Sequence, residues 1–167
     1  MKTYFIIFFS LFALFSSKAQ TSPFSGTWKW ENENQTFYVY IMSKTLNTEN
    51  KVLRIDYKMV EINNGVTIEI YSSKHQGVFA FIGAILAEKP TTASGTIYDR
   101  THPNTTDGYE GRFSVEIYPT NPPTLNWRIS TLKDNVQAFV TDNPPTGFNL
   151  PTDIILTKIS DDIILYD

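Results

Sequence analysis

The residues best suited to metal chemistry lie in one polar stretch of the chain. Three acids and one histidine are the candidate ligands: Asp99, His102, Asp107 and Glu110. Carboxylate oxygens and an imidazole are groups that divalent cations take in proteins. The spacing matches neither an EF-hand loop nor a His-Glu-x-x-His helix, and the Asp-Gly and His-Pro-Asn steps are ordinary turn chemistry. The stretch is therefore predicted to be a polar loop without a metal or cofactor.

Catalysis has little support among the remaining side chains. The chain has no cysteine and two histidines, His75 and His102, both in predicted turns. It contains no Gly-x-Ser-x-Gly elbow and no glycine-rich phosphate loop. A hydrolase with two carboxylates stays open as an alternative, in which two of Asp56, Glu69 and Glu116 lie within about 5 to 10 Å. Each of these acids alternates with apolar residues, which is more typical of a solvated outer face.

Six residues are candidates for binding a ligand, because aromatic faces bury a large area and polar groups fix a ligand's orientation. They are Trp28, Trp30, Tyr38, Tyr40, Trp127 and Arg128. Period-two alternation puts the first two tryptophans on one face, and puts the two tyrosines on the face opposite Phe37. The alternative role of the tryptophans is core packing, and that of the tyrosines is a partly covered outer face.

The elements that must position these residues are about nine β-strands joined by short turns. The clearest hairpin runs from Lys51–Glu61 through Asn63-Asn64-Gly65, where Asn and Gly tolerate the positive φ that tight turns demand. Residues 78–87 are apolar at every position except Gly83, so a buried strand and a short buried helix both fit. Their aromatic and β-branched content favours a strand, with Gly83 as the site of a bulge. The pattern predicts an all-β domain, either an antiparallel up-and-down barrel or a β-sandwich.

Residues 1–19 have the order of a secretory signal peptide. Lys2 supplies the positive charge, an apolar run extends from Tyr4 to Phe15, and Ser17 and Ala19 are the small residues before the cleavage point. The apolar run is too short to span a membrane, which disfavours the alternative of a membrane anchor. Because the chain has no cysteine, a lipid-modified cysteine at the cleavage site is excluded. The protein is therefore expected to be secreted or periplasmic, with no stable membrane anchor after cleavage.

The predicted mature chain, residues 20–167, has 148 residues, a length that suits a single domain with its own core. Cleavage removes two lysines and no acid, which leaves 12 basic and 17 acidic residues and a formal charge of −5. A mildly acidic chain without clusters of Lys or Arg is not expected to bind nucleic acid or an anionic membrane. The lack of cysteine excludes disulfides, thiol catalysis and thiolate metal sites.

Two stretches of the mature chain resemble a known family. The first is Gly26-Thr27-Trp28-Lys29-Trp30 with the strand Gln35–Ser43 that follows it, and the second is Phe148–Lys158. Together they resemble a family of small secreted proteins of unknown function from Bacteroidota-type bacteria. The resemblance implies a secreted β domain and no particular chemistry.

The Gly26-x-Trp28 triplet is also similar to the opening of lipocalin and avidin barrels. In lipocalins the triplet starts the first strand, and its tryptophan closes one barrel end under a basic residue of the last strand. The resemblance implies a lipocalin-like, calycin-type barrel in which Arg128 or Lys158 is that basic residue. The Thr-Asp-Tyr-like motif of lipocalins is absent from this sequence.

The sequence favours a protein that binds rather than catalyses, and it leaves three hypotheses. The first is a non-enzymatic secreted barrel that holds a small apolar or amphipathic ligand in an internal cavity of a few hundred cubic ångströms, lined by aromatic side chains. The second is a surface module for a glycan or a protein partner, with Trp30, Tyr38 or Tyr40 exposed in one patch. The third is the carboxylate hydrolase.

Overall fold

The computed structural model describes residues 22–45, 51–73, 81–86, 89–99, 101, 109–132 and 147–163, which form nine β-strands and no α-helix. The strands are β1 (Gly26–Glu31), β2 (Gln35–Thr45), β3 (Lys51–Asn63), β4 (Val66–Ser72), β5 (Phe81–Leu86), β6 (Lys89–Asp99), β7 (Tyr109–Tyr118), β8 (Thr124–Thr131) and β9 (Asp153–Ser160). The all-β prediction is confirmed. Within these ranges no helix has the length and apolar character to cross a bilayer.

Eight of the strands pair into a closed ring in which every pair is antiparallel. The order is β1, β2, β3, β5, β6, β7, β8 and β9, and β9 pairs with β1 to complete the circle. Each strand of the ring pairs with the next ring strand along the chain, which is the up-and-down arrangement. Of the two predicted architectures, the structure is the barrel.

The ring has one branch, at the long strand β3. One edge of β3 pairs with β2, whereas the other pairs with β5 at Val52–Ile55 and with β4 at Lys58–Asn63. The two positions between these pairings, Asp56 and Tyr57, form hydrogen bonds with the Ser73 side chain instead. The Tyr57 N–H donates to Ser73 Oγ (2.9 Å), and the Ser73 hydroxyl donates to Asp56 Oδ1 (3.1 Å). The β3–β4 hairpin therefore continues past the ring as a separate two-stranded extension.

The turn of this hairpin has the predicted chemistry. Asn63 pairs with Val66, so the loop consists of two residues, and these have positive φ angles of 53° (Asn64) and 79° (Gly65). Such a turn matches the right-handed twist of the strands that it joins. The prediction for this hairpin is confirmed.

Large side chains from opposite walls meet inside the barrel. The Phe37 ring on β2 lies 5.9 Å from the Trp127 ring on β8, in an edge-to-face contact. Trp127 also stacks on Phe113 at 6.4 Å, and Phe37 contacts Tyr57 at 6.1 Å. The largest fully buried side chains are Trp28, Trp127, Tyr57, Phe24, Phe37, Phe113, Ile41, Leu53, Ile55, Ile97 and Leu125. The described side chains thus form one aromatic and aliphatic core.

The two ends of the barrel are named here by a residue at each. The Gly26 end is where β1 begins and β2 ends, and the Asp99 end is where β6 ends and β7 begins. Residues 147–152 pack at the Asp99 end: Leu150 joins the core, and the Trp127 indole donates to the Pro151 carbonyl (2.9 Å).

Candidate functional site

The first strand and the last strand approach very closely at the Gly26 end. Gly26 has a φ of 131°, a region that L-residues with a side chain rarely adopt. A Cβ at this position would clash with the Ser160 carbonyl oxygen and would lie 2.8 Å from Lys158 Cε. Glycine is therefore required here both by the backbone conformation and by the space.

The close approach brings a cation over Trp28. Lys158 pairs with Trp28 across β1 and β9, and its Nζ lies 5.5 Å from the centroid of the indole ring. The same Nζ lies 2.7 Å from Asp161 Oδ1. Trp28 is fully buried, and its indole N–H donates to the Phe24 carbonyl (2.9 Å). Of the two basic residues that the sequence proposed for this position, Lys158 is the one that occupies it.

A surface cavity of about 690 Å³ lies near this contact, at the Gly26 end of β2 and β3. Residues 161–163 follow β9 and cross the beginning of β1, where the Thr27 hydroxyl donates to the Asp162 carbonyl (2.8 Å). The cavity lies between this segment and the β2–β3 wall. Four apolar side chains line it: Met42, Val52, Leu53 and Ile163.

The register of β2 and β3 places both apolar and cationic groups at this cavity. Met42 pairs with Arg54 and Lys44 pairs with Val52, so the four side chains alternate across the outer face of the two strands. All four line the cavity, together with Asp161 and Asp162 on the opposite side. The Arg54 Nε also lies 3.3 Å from Asp56 Oδ2. The cavity thus combines an apolar lining with charges of both signs.

The two tyrosines of β2 lie on the face opposite Phe37, which is the outer face of the barrel. The Tyr38 and Tyr40 rings stack with centroids 6.5 Å apart and an angle of 13° between their planes. Tyr40 is only 5% exposed, whereas Tyr38 is partly exposed. The pair offers one partly accessible aromatic face.

The polar stretch at the other end of the barrel contains a buried carboxylate. Asp99 is fully buried and accepts three hydrogen bonds: from the Thr101 N–H (3.0 Å), the Thr101 hydroxyl (2.7 Å) and the Asn149 N–H (2.8 Å). Burial raises the pKa of Tyr71 well above its usual value, and the negative charge of Asp99 raises it further. Asp99 thus anchors residues 147–152; the candidate ligands His102 and Asp107 lie outside the described residues.

The three acids considered for a hydrolase lie on three different strands. Asp56 accepts from Ser73, and its other oxygen lies near Arg54. Glu69 on β4 lies 3.4 Å from Lys58 Nζ, and Glu116 on β7 accepts from the Tyr118 hydroxyl (3.0 Å). Each acid therefore has a hydrogen-bond or ion-pair partner on its own strand or on an adjacent element.

The six predicted ligand-binding residues do not come together at the cavity, since none of them lines it. Trp28 and Trp127 are fully buried in the core, and Trp30 is partly buried and packs against it. Arg128 is exposed on β8 and lies 3.4 Å from Asp153 Oδ1.

The residues that do line the cavity carried no signal that sequence reasoning could use. Met42 and Val52 fit an alternating strand, and so they were indistinguishable from ordinary wall residues. The segment 161–163 adjoins them only because β9 ends beside β1.

Comparisons with known proteins give no match: no protein-family model, no curated protein and no solved structure matches the chain. The resemblance to small secreted proteins from Bacteroidota-type bacteria therefore stays a prediction.

Proposed function

We propose that the protein is a secreted, non-enzymatic β-barrel that binds a small amphipathic ligand in the cavity at its Gly26 end. The observation that carries this proposal is the cavity itself. Its volume of about 690 Å³ falls within the range of small-molecule sites, and it is lined by four apolar and six polar or charged residues.

The composition of the cavity supports an amphipathic rather than a purely apolar ligand. An apolar body would be removed from water against Met42, Val52 and Ile163, which is the main driving force for such binding. The polar end of the ligand would meet Lys44 and Arg54, which fix orientation more than they add affinity. Binding of this kind requires no metal and no cofactor.

The site differs from the internal cavity that the sequence predicted. Trp127 contacts Phe37 across the interior and stacks on Phe113 of the neighbouring strand, so aromatic side chains occupy the space that a ligand would need at that level. The cavity at the Gly26 end is the site proposed in its place.

Export and a lipocalin-like architecture are parts of the same proposal. Three features support the architecture: the eight-stranded up-and-down ring, the Gly26-x-Trp28 opening, and Lys158 of the last strand above the Trp28 ring. A secretory signal in residues 1–19 supports export. The protein would then bind its ligand in the periplasm or outside the cell.

Filling the cavity tests the proposed site. We expect Met42→Trp to weaken binding of a fluorescent fatty-acid probe by at least about tenfold, because the indole would occupy the volume that the probe needs. The matched control is Ile155→Trp, which adds the same side chain at a residue that is 64% exposed on β9 and away from the cavity. Equal probe affinity for the two variants would contradict the site.

Native mass spectrometry of protein purified from its own host tests the ligand class. We expect a retained species that carries an alkyl or similarly apolar part, which dissociates on denaturation. A retained metal ion, or a protein that binds neither this species nor the probe, would contradict the proposal.

A second candidate function, a glycan-binding module, is favoured by the Tyr38–Tyr40 stack. Sugar rings bind on aromatic faces, and this pair presents one on the outer wall of β2. Retention of a sugar in the same mass-spectrometric measurement, with loss of that sugar in Tyr38→Ala, would favour this candidate over the amphipathic ligand.

A further inference from the structure

The β3–β4 hairpin presents an edge that no described strand covers. Strand β4 pairs with β3 on one side, and among the described residues no strand pairs with its other side. Edges of this kind carry backbone donors and acceptors that can pair with another strand. Soluble proteins commonly protect them with Pro, Lys or charged side chains, but β4 contains one charge, Glu69, and neither Pro nor Lys.

The side chains of this edge strand are unusually apolar for their exposure. Val66 is 61% exposed, Ile68 is 48% exposed and Ile70 is 44% exposed. Strand alternation places Val66 and Ile68 on one face of β4, whereas Ile70 is the extra residue of a β-bulge, between Glu69, which pairs with Val60, and Tyr71, which pairs with Met59. An exposed apolar stripe on an uncovered edge is typical of an interaction surface.

The sequence of β4 fits its own copy in antiparallel register. With Ile68 opposite Ile68 of a second copy, Thr67 lies opposite Glu69, and the regular part of the pairing ends before the bulge at Ile70. Apolar side chains then meet apolar side chains, and no like charges face each other. Lys58 lies 3.4 Å from Glu69, so the single acid of the edge has a cation beside it.

The backbone geometry supports the same register. Asn63 and Val66 close a two-residue turn and form a hydrogen-bonded pair. Hydrogen-bonded pairs recur at every second position of an antiparallel ladder, so Ile68, like Val66, directs its N–H and C=O toward β3. The N–H and C=O groups of Thr67 and Glu69 then point to the uncovered side. When Ile68 is the centre, Thr67 of each copy faces Glu69 of the other, and these outward groups can bond to each other.

We infer that two copies of this chain pair edge to edge through β4, antiparallel and centred on Ile68. The two Ile68 side chains meet at the centre of the contact, and Val66 of each copy lies on the same face as Ile68. The contact uses a different part of the barrel from the ligand cavity, and it does not depend on the proposed function.

Site-directed disulfide formation tests the register, because the protein has no cysteine of its own. Directly opposed residues in an antiparallel pair have Cα atoms within disulfide range. We expect mature Ile68→Cys to form a covalent dimer on mild oxidation, visible by non-reducing electrophoresis. Val66→Cys alone should link poorly, because the two Val66 positions do not face each other in this register.

The matched control is Ile155→Cys, which is more exposed but lies on β9, a strand paired on both sides. Sedimentation equilibrium of the unmodified mature protein should show a monomer–dimer equilibrium. Ile68→Lys, which places two lysines opposite each other, should raise the dissociation constant by about tenfold or more. A monomer at all accessible concentrations, or Ile68→Cys linking no faster than Ile155→Cys, would overturn the inference.

Discussion

At the scale of single residues, the Gly26 end shows how a short motif specifies a contact between distant strands. Gly26 allows the Ser160 carbonyl and the Lys158 side chain to approach, and this approach sets Lys158 over the Trp28 ring. The glycine and the tryptophan were recognisable from the sequence. The identity of the basic residue was not, because it depends on the register that pairs Trp28 with Lys158.

Substitution of Gly26 by alanine should destabilise the barrel strongly. The added Cβ clashes with backbone that cannot move freely, and the φ of 131° is itself strained for alanine. We expect a loss of about 2 to 4 kcal/mol in the free energy of unfolding, measured by urea denaturation.

The matched control is Gly65→Ala, which also has a positive φ (79°) but open space around its Cβ position. It should lose only about 1 kcal/mol, the cost of the left-handed conformation alone. Similar losses for the two variants would show that the close approach at Gly26 contributes nothing.

At the scale of elements, alternation was sufficient for most strands and for the β3–β4 hairpin. Residues 81–86 form the expected strand, but the register is regular at Gly83, and the irregularity lies between Ile85 and Leu86. The predicted bulge at Gly83 is therefore wrong. Strand β6 begins at Lys89 and contains Pro90, which is tolerated because pairing with β7 starts only at Thr92.

The branch at β3 could not be predicted in the same way. Period-two alternation predicts which face of a strand a residue occupies, but it does not predict which neighbouring strand pairs with each edge. The division of one β3 edge between β5 and β4 became visible only from the pairing itself.

Ser73 should stabilise this branch, because its hydroxyl replaces strand pairing at Tyr57 and also contacts Asp56. Ser73→Ala leaves the buried Tyr57 N–H without this acceptor. We expect a loss of about 1 to 2 kcal/mol in the free energy of unfolding, measured by denaturant titration.

Ser130→Ala is the control, since Ser130 is an exposed serine on β8, and it should change the stability by no more than about 0.5 kcal/mol. If Ser73→Ala were equally neutral, the hydroxyl bridge would have no energetic role.

At the scale of the whole molecule, the architecture followed from the strand pattern, whereas the cavity did not. Strand count and short turns are properties of consecutive residues, so they can be recognised locally. The cavity needs residues 161–163 against Met42 and Val52, which are more than a hundred positions away along the chain. In the structure, residues 161–163 form neither a strand nor a helix.

Export makes a prediction for the intact protein. If residues 1–19 are a signal peptide, the protein recovered from the periplasm or the medium should begin at Gln20. N-terminal sequencing or intact mass measurement of the exported protein checks this directly. Recovery of the full-length chain from the cytoplasm alone would contradict the proposed export.

The pairing of β1 with β9 also determines when this protein can finish folding. The hydrogen bond from Thr27 to Asp162 joins residues that are 135 positions apart. A chain that crosses a membrane from its N-terminus delivers β1 first, and β1 must then wait for β9 before its second edge is paired. Contacts between such distant residues form late and slowly. If the protein is exported as proposed, the barrel completes its ring only after nearly the whole chain has crossed the membrane, so its fold would be compatible with transport in an unfolded state.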